Sequence, residues 1–235
     1  IVTETGSYAG ATITKSVKLN VPAGLVAFSA LSITVNAGAT DVVVIRGLTL
    51  KALTVGTGTG LNVLSAGAVF VENSVIDGWS TGVSVTSANT QLFVKDSTIR
   101  NNTTHGIDLN SASAVAAIDG TRFEKQAGGS AAGLTVRNGA KAGVTRSFAA
   151  QNALGFVVTG GTSELVVDQT EASNNTTAGY QAAAGATLRL LDSIAASNDK
   201  GVVNSASTVE TFGNNVFEGN ANGNTDGTIT GVTKQ

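Results

Sequence analysis

The residues able to do chemistry are few, and four of them share a short stretch of spacing: His105, Asp108, Asn110 and Arg137. His105 is the only histidine in 235 residues, and it ends the run Asn101-Asn102-Thr103-Thr104-His105. An imidazole within reach of one carboxylate and one guanidinium can bind a carboxylated sugar, or carry out acid/base chemistry. The same residue types also make an exposed loop histidine beside a surface ion pair. Trp79, the only tryptophan, has two readings as well. Exposed, its indole would stack on a sugar ring; folded down, it would plug the turn on which it sits.

Whether these side chains meet depends on the elements that carry them, and those elements repeat. Glycine followed by an apolar or aromatic residue recurs at Gly60-Leu61, Gly82-Val83, Gly106-Ile107, Gly133-Leu134, Gly155-Phe156, Gly179-Tyr180 and Gly201-Val202, 22 to 27 residues apart. A period in the twenties marks a solenoid in which each repeat buries its apolar face only against its neighbours. Inside the period the apolar residues alternate: Leu61/Val63 and Ile107/Leu109, then Val69/Val71, Leu92/Val94, Leu165/Val167 and Leu188/Leu190. Alternation is the period of a strand, not of a helix. A serine or threonine follows (Ser74, Ser97, Thr121, Ser147, Thr170, Ser193). Two residues on comes a third inward position: Ile76, Ile99, Phe123, Ala149, Ala172, Ala195.

Three short strands per repeat and no helix predict an all-β parallel β-helix of about nine coils. At about 4.8 Å per coil it would be a rod of roughly 40 Å. The whole chain, 1–235, reads as one domain, with irregular lead-in coils over 1–59, regular repeats over 60–223 and a tail over 224–235. Asn102, Asn152, Asn175, Asn198 and Asn220 each fall near the end of a coil and read as a structural ladder of stacked amides. No amphipathic helix is available to cap either end. The loop 20–30, the tail 221–235 or another subunit would have to cover the exposed sheet edges, which points to end-to-end self-association.

The coils Gly60-Leu61-Asn62-Val63…Val69-Phe70-Val71-Glu72-Asn73-Ser74-Val75-Ile76 and Gly82-Val83-Ser84-Val85…Leu92-Phe93-Val94-Lys95-Asp96-Ser97-Thr98-Ile99 resemble the right-handed parallel β-helix, pectin-lyase-like superfamily. The ending Val209-Glu210-Thr211-Phe212-Gly213-Asn214-Asn215-Val216-Phe217 is similar to the last coil of bacterial β-helix repeat proteins without an assigned activity. The resemblance covers nearly the whole chain. It implies a right-handed fold and an extracellular setting, and it implies that enzymes of this type gather acids on the outward face of the strand after each repeat glycine. There lyases hold calcium beside a Lys or Arg base, and hydrolases use two or three carboxylates.

That face reads Thr34, Asn62, Ser84, Asp108, Thr135, Val157, Gln181 and Val203 in one column. The neighbouring column reads Asn36, Leu64, Thr86, Asn110, Arg137, Thr159 and Ala183. One acid and one cation are too few for chelation or for paired acid and base. Elsewhere the charges alternate in sign down two columns, Arg46/Glu72/Lys95/Asp119 and Lys51/Asp77/Arg100/Glu124, the arrangement of ion ladders between strands. Arg146, Gln169 and Asp192, with Asp96, form a further column beside the Ser/Thr row, and a methylesterase site there is the weakest of the enzyme readings.

Composition narrows the partners. A net charge of −2 with 13% charged residues offers nothing to steer the chain to nucleic acid. There is no cysteine for disulfides or thiolate metal sites, and no apolar run approaches the about 18 residues that cross a bilayer. The chain starts at Ile1-Val2-Thr3 without methionine or signal peptide, which suggests a processed or trimmed secreted protein. The expectation is a secreted or cell-surface protein with a non-catalytic role, carbohydrate recognition or surface structure, with polysaccharide as partner and no metal or cofactor. The site candidates are Trp79, His105, Asp108, Asn110 and Arg137. The alternatives are a lyase or hydrolase acting on an acidic glycan through Asp108, Arg137 and His105, or an assembly module of a larger surface protein.

Overall fold

Alternating apolar residues give each strand one face with no contact to water, and stacking the repeats closes those faces around a shared interior. In the computed structural model, which describes residues 2–233, every strand pairs in parallel with the equivalent strand one coil away. Three ladders of ten strands result, so the coils number ten among the described residues. The first sheet holds short strands such as Thr98–Arg100, the second holds those after the repeat glycines, such as His105–Asn110, and the third holds those such as Val115–Asp119. No helix occurs among the described residues.

The register follows the alternation closely. Leu61, Val83, Ile107, Leu134, Phe156, Tyr180 and Val202 line one inward column of the second sheet. All seven have essentially no exposed surface. Phe123, Phe156 and Tyr180 fill the middle of the interior, and the Tyr180 hydroxyl donates to the carbonyls of Thr170 and Ile194. One slip departs from the expected register. A bulge between Val35 and Asn36 pairs Asn36 with Ser65 instead of Leu64.

The repeat glycines have a steric cause. A Cβ on Gly82, Gly106 or Gly155 would lie 2.3–2.5 Å from the carbonyl oxygen of the glycine one coil on. Only glycine lets successive coils approach this closely at that corner.

Two buried polar rows run along the axis. Asn102 donates its side-chain amide to Gln126, Asn152 to Asn175, Asn175 to Asn198, and Asn198 to Asn220. Gln126, in the longest repeat, donates its amide to the carbonyl of Ile99, while its backbone N–H donates to Asn152. The left-handed backbone belongs not to these amides but to the residue before each one: Asn101, Lys125, Gln151, Asn174 and Ser197. The second row is the Ser/Thr column, in which Ser74, Thr121 and Thr170 each donate a backbone N–H to the hydroxyl one coil later.

The lead-in residues join the ladders from the start, because Gly6–Tyr8, Ala11–Ile13 and Val17–Asn20 open the three sheets. At the other end Thr225–Asp226 and Thr230–Gly231 extend the second and third sheets. The loop 20–30 and the tail therefore continue the ladders, and the last strands of each sheet are largely exposed. Residues 1, 234 and 235 lie outside the described residues.

Candidate functional site

His105–Asn110 and Ala132–Arg137 are neighbouring strands of the second sheet, with Asp108 opposite Thr135 and Asn110 opposite Arg137. Period two puts Asp108, Asn110, Thr135 and Arg137 on the outward face. Arg137 sits one coil on and two residues along from Asp108, and its side chain reaches back diagonally. Nε donates to Oδ1 at 2.8 Å and Nη2 to Oδ2 at 2.7 Å. This fork uses both carboxylate oxygens. The Asp108 side chain is only 9% exposed, against 37% for Arg137. The hydrogen bond to Asp108 raises the Arg137 pKa, so the guanidinium is always charged.

His105 opens its strand on the same face, with Nδ1 3.1 Å from the Thr135 hydroxyl. Burial pushes its pKa below 6.5, the nearby Asp108 carboxylate pulls it up, and Arg137 pushes it down again. The imidazole is therefore neutral at pH 7. Asn110 accepts from the side chain of Asn138. The structure thus brings His105, Asp108, Asn110 and Arg137 onto one face, joined by Thr135 and Asn138, which the sequence reading did not assign to the cluster.

Trp79 is not part of it. It is 4% exposed, and its indole N–H donates to the Leu50 carbonyl. The reading of Trp79 as an exposed sugar platform is corrected: the indole is the plug. Its place is specific. Trp79 falls in register with Asn102, to whose Oδ1 it donates its backbone N–H. Leu50 is the counterpart of Ile99, Phe123 and Ala149, whose carbonyls take the amides of Gln126, Asn152 and Asn175. The indole thus stands in for an amide at the head of that row.

The column Asp96, Arg146, Gln169 and Asp192 occupies left-handed corners. Arg146 there pairs with Asp119. Of the charge columns, Arg46–Glu72 and Arg100–Asp77 form ion pairs between strands, whereas Glu124 pairs with Arg122 on its own strand. Among the described residues, no three His, Asp or Glu side chains gather as a metal-binding group.

Sequence reasoning missed Gln126, although its register opposite Asn102 follows from Glu124 lying opposite Arg100. It also missed two outward rings, Phe70 and Phe93, stacked on the third sheet. Their place between Val69/Val71 and Leu92/Val94 carried that signal.

This geometry defines a parallel β-helix whose second sheet carries a polar, self-paired cluster on its outer face. Residues 81–231 match the family described as right handed beta helix region, and the chain belongs to that family. No curated protein matches it. Two solved structures align with the chain, the first of them at the level of fold. The enzymatically active domain of bacteriophage CBA120 tailspike protein 2 shares 10% identity at a TM-score of 0.59, over 95% of this chain and 39% of that one. Pectate lyase Pel9A shares 14% identity at a TM-score of 0.46, over 90% of this chain and 60% of that one. The chain thus spans less than two thirds of either.

Proposed function

We propose that this protein is an extracellular β-helix that recognises carbohydrate on its outer face without cleaving it. The Asp108–Arg137 fork carries the reading. A general acid or nucleophile must offer a free oxygen to its substrate, and both Asp108 oxygens are engaged in a largely buried pair. The column that holds Asp108 supplies no second acid, since Asn62, Ser84, Thr135, Val157 and Gln181 are its other members along these coils. What remains usable is hydrogen bonding. Arg137 has five N–H donors, and the fork consumes two, leaving a half-exposed, permanently charged donor set beside a neutral imidazole. That set suits the hydroxyls or carboxylate of a glycan chain lying across the coils.

The test is a glycan-binding screen on the purified chain, with the same preparation assayed for release of unsaturated or reducing ends from pectin and alginate. Binding without release is expected, and Arg137→Lys, which keeps the charge but loses the fork, should weaken it about tenfold. Release of ends that Asp108→Ala abolishes would replace this reading with that of a polysaccharide-active enzyme.

A further inference from the structure

The outward column at the centre of the third sheet reads, coil by coil, Val44, Phe70, Phe93, Ala117, Gly143, Val166 and Arg189. The Phe70 and Phe93 rings stack with centroids 4.6 Å apart and planes 10° from parallel. That separation is close to the strand spacing, so each coil contributes one rung and each rung is one ring thick. The next two rungs are empty. Ala117 carries only a methyl, and a Cβ built on Gly143 would meet nothing within 4 Å.

A groove of about 360 Å³ opens there, lined by Phe93, Ala117 and Gly143, with Glu72, Lys95, Asp119 and Thr145 along one side. A second, of about 470 Å³, shares Phe93 and Ala117 and runs along Gln91, Asn89, Ser113 and Val115 on the other. From the Gly143 strand onward one edge of the sheet is committed, because Lys141, Glu164, Arg189 and Glu210 are tied into one chain of ion pairs.

The polar rim is also unevenly committed. Glu72 is held by Arg46, and Asp119 by Thr145 and Arg146. Lys95 and Gln91, two residues to either side of Phe93, are exposed, and their side chains make no hydrogen bond or ion pair among the described residues. A flat apolar floor one ring deep, flanked by an unpaired ammonium and an unpaired amide, fits a ligand with an apolar face and a hydroxylated rim. A hydrocarbon ring would gain nothing from either polar group.

We propose that the empty rung beside Phe93 on the third sheet is a binding slot for a sugar ring. A hexopyranose lies over Ala117 and Gly143, stacked on the open face of Phe93, with Lys95 and Gln91 donating to its hydroxyls. The slot involves neither His105 nor Arg137 and is a second site, on another sheet, for the class of ligand proposed above.

Saturation-transfer NMR on the full chain tests it with three probes: methyl β-glucopyranoside, methyl β-galactopyranoside and methyl α-mannopyranoside. Transfer to the ring protons of at least one is expected. Ala117→Phe continues the Phe70–Phe93 stack into the slot at an exposed position that does not touch the interior. It should reduce transfer about three- to tenfold, as should Phe93→Ala. No transfer from any probe would overturn the proposal. So would transfer that survives Ala117→Phe, even where Phe93→Ala abolishes it.

Discussion

His105 shows how position sets the chemistry of a single side chain. Its pKa is depressed chiefly by burial, so the folded state binds its proton less readily than the unfolded chain does. Stability from the neutral ring is therefore complete above about pH 6.5 and is lost as pH falls through the depressed folded value. Because the chain has one histidine, its ring protons titrate without overlap in an NMR experiment. A midpoint below 6.5 is expected, and His105→Gln should remove the part of the acid destabilisation that begins near that pH. A midpoint at or above 6.5 would mean that burial does not outweigh the pull of the Asp108 carboxylate. The meeting of Asp108 with Arg137 was legible beforehand, since period two and a counted repeat fix both coil and face. The fork itself was not, because it needs a side chain to lean diagonally across the sheet. Nor was the burial of Trp79 read from its surroundings: an indole in a glycine-flanked corner carries no periodic signal, and only its alignment with Asn102 betrays its role.

At the scale of the coil, the corners matter as much as the strands. Strands supply the interior, but a coil closes only where backbone N–H groups turned inward find acceptors. The Asn175 amide does this twice, accepting from the backbone and side chain of Asn152 while donating to Ala149 and Asn198. Asn175→Ala strands the buried Asn152 N–H, at about 1–3 kcal/mol. The thermal midpoint should fall by several degrees, at about 2–4 °C per kcal/mol for a chain of this size. Thr176→Ala, one residue on and exposed, should leave it within error. Equal effects from the two would deny the amides their structural part. Most of this architecture was legible: the repeat glycines, the inward columns and five of the amides are all stated by spacing. Gln126 escaped because the longest repeat carries its insertion just after it and changes the residue type at that place. The bulge after Val35 escaped because both registers leave a tolerable residue outside.

At the scale of the molecule, ten coils lie on one axis and each touches only its neighbours. Among the described residues the last strands of the ladders, Val216–Glu218, Thr225–Asp226 and Thr230–Gly231, have a paired neighbour on one side only. At the opposite end an apolar recess of about 180 Å³ is lined by Val2, Tyr8, Leu19, Val21, Ile33 and Leu48 among others. Unpaired edges and an apolar recess favour stacking of one rod on another. Sedimentation velocity over a hundredfold range of concentration should show a coefficient that rises with protein. A constant monomer value would show that the ends are self-sufficient.

Contact with neighbours alone also decides how such a rod meets a mechanical load. Pulled at its two termini, it feels the force along the axis, where the hydrogen bonds between coils lie in line and can part a few at a time. It would pay out as thread leaves a spool, one turn after another, each regular turn of 22 to 27 residues yielding up to about 70–90 Å of slack. The coils not yet reached would keep their shape, and with it any surface they present.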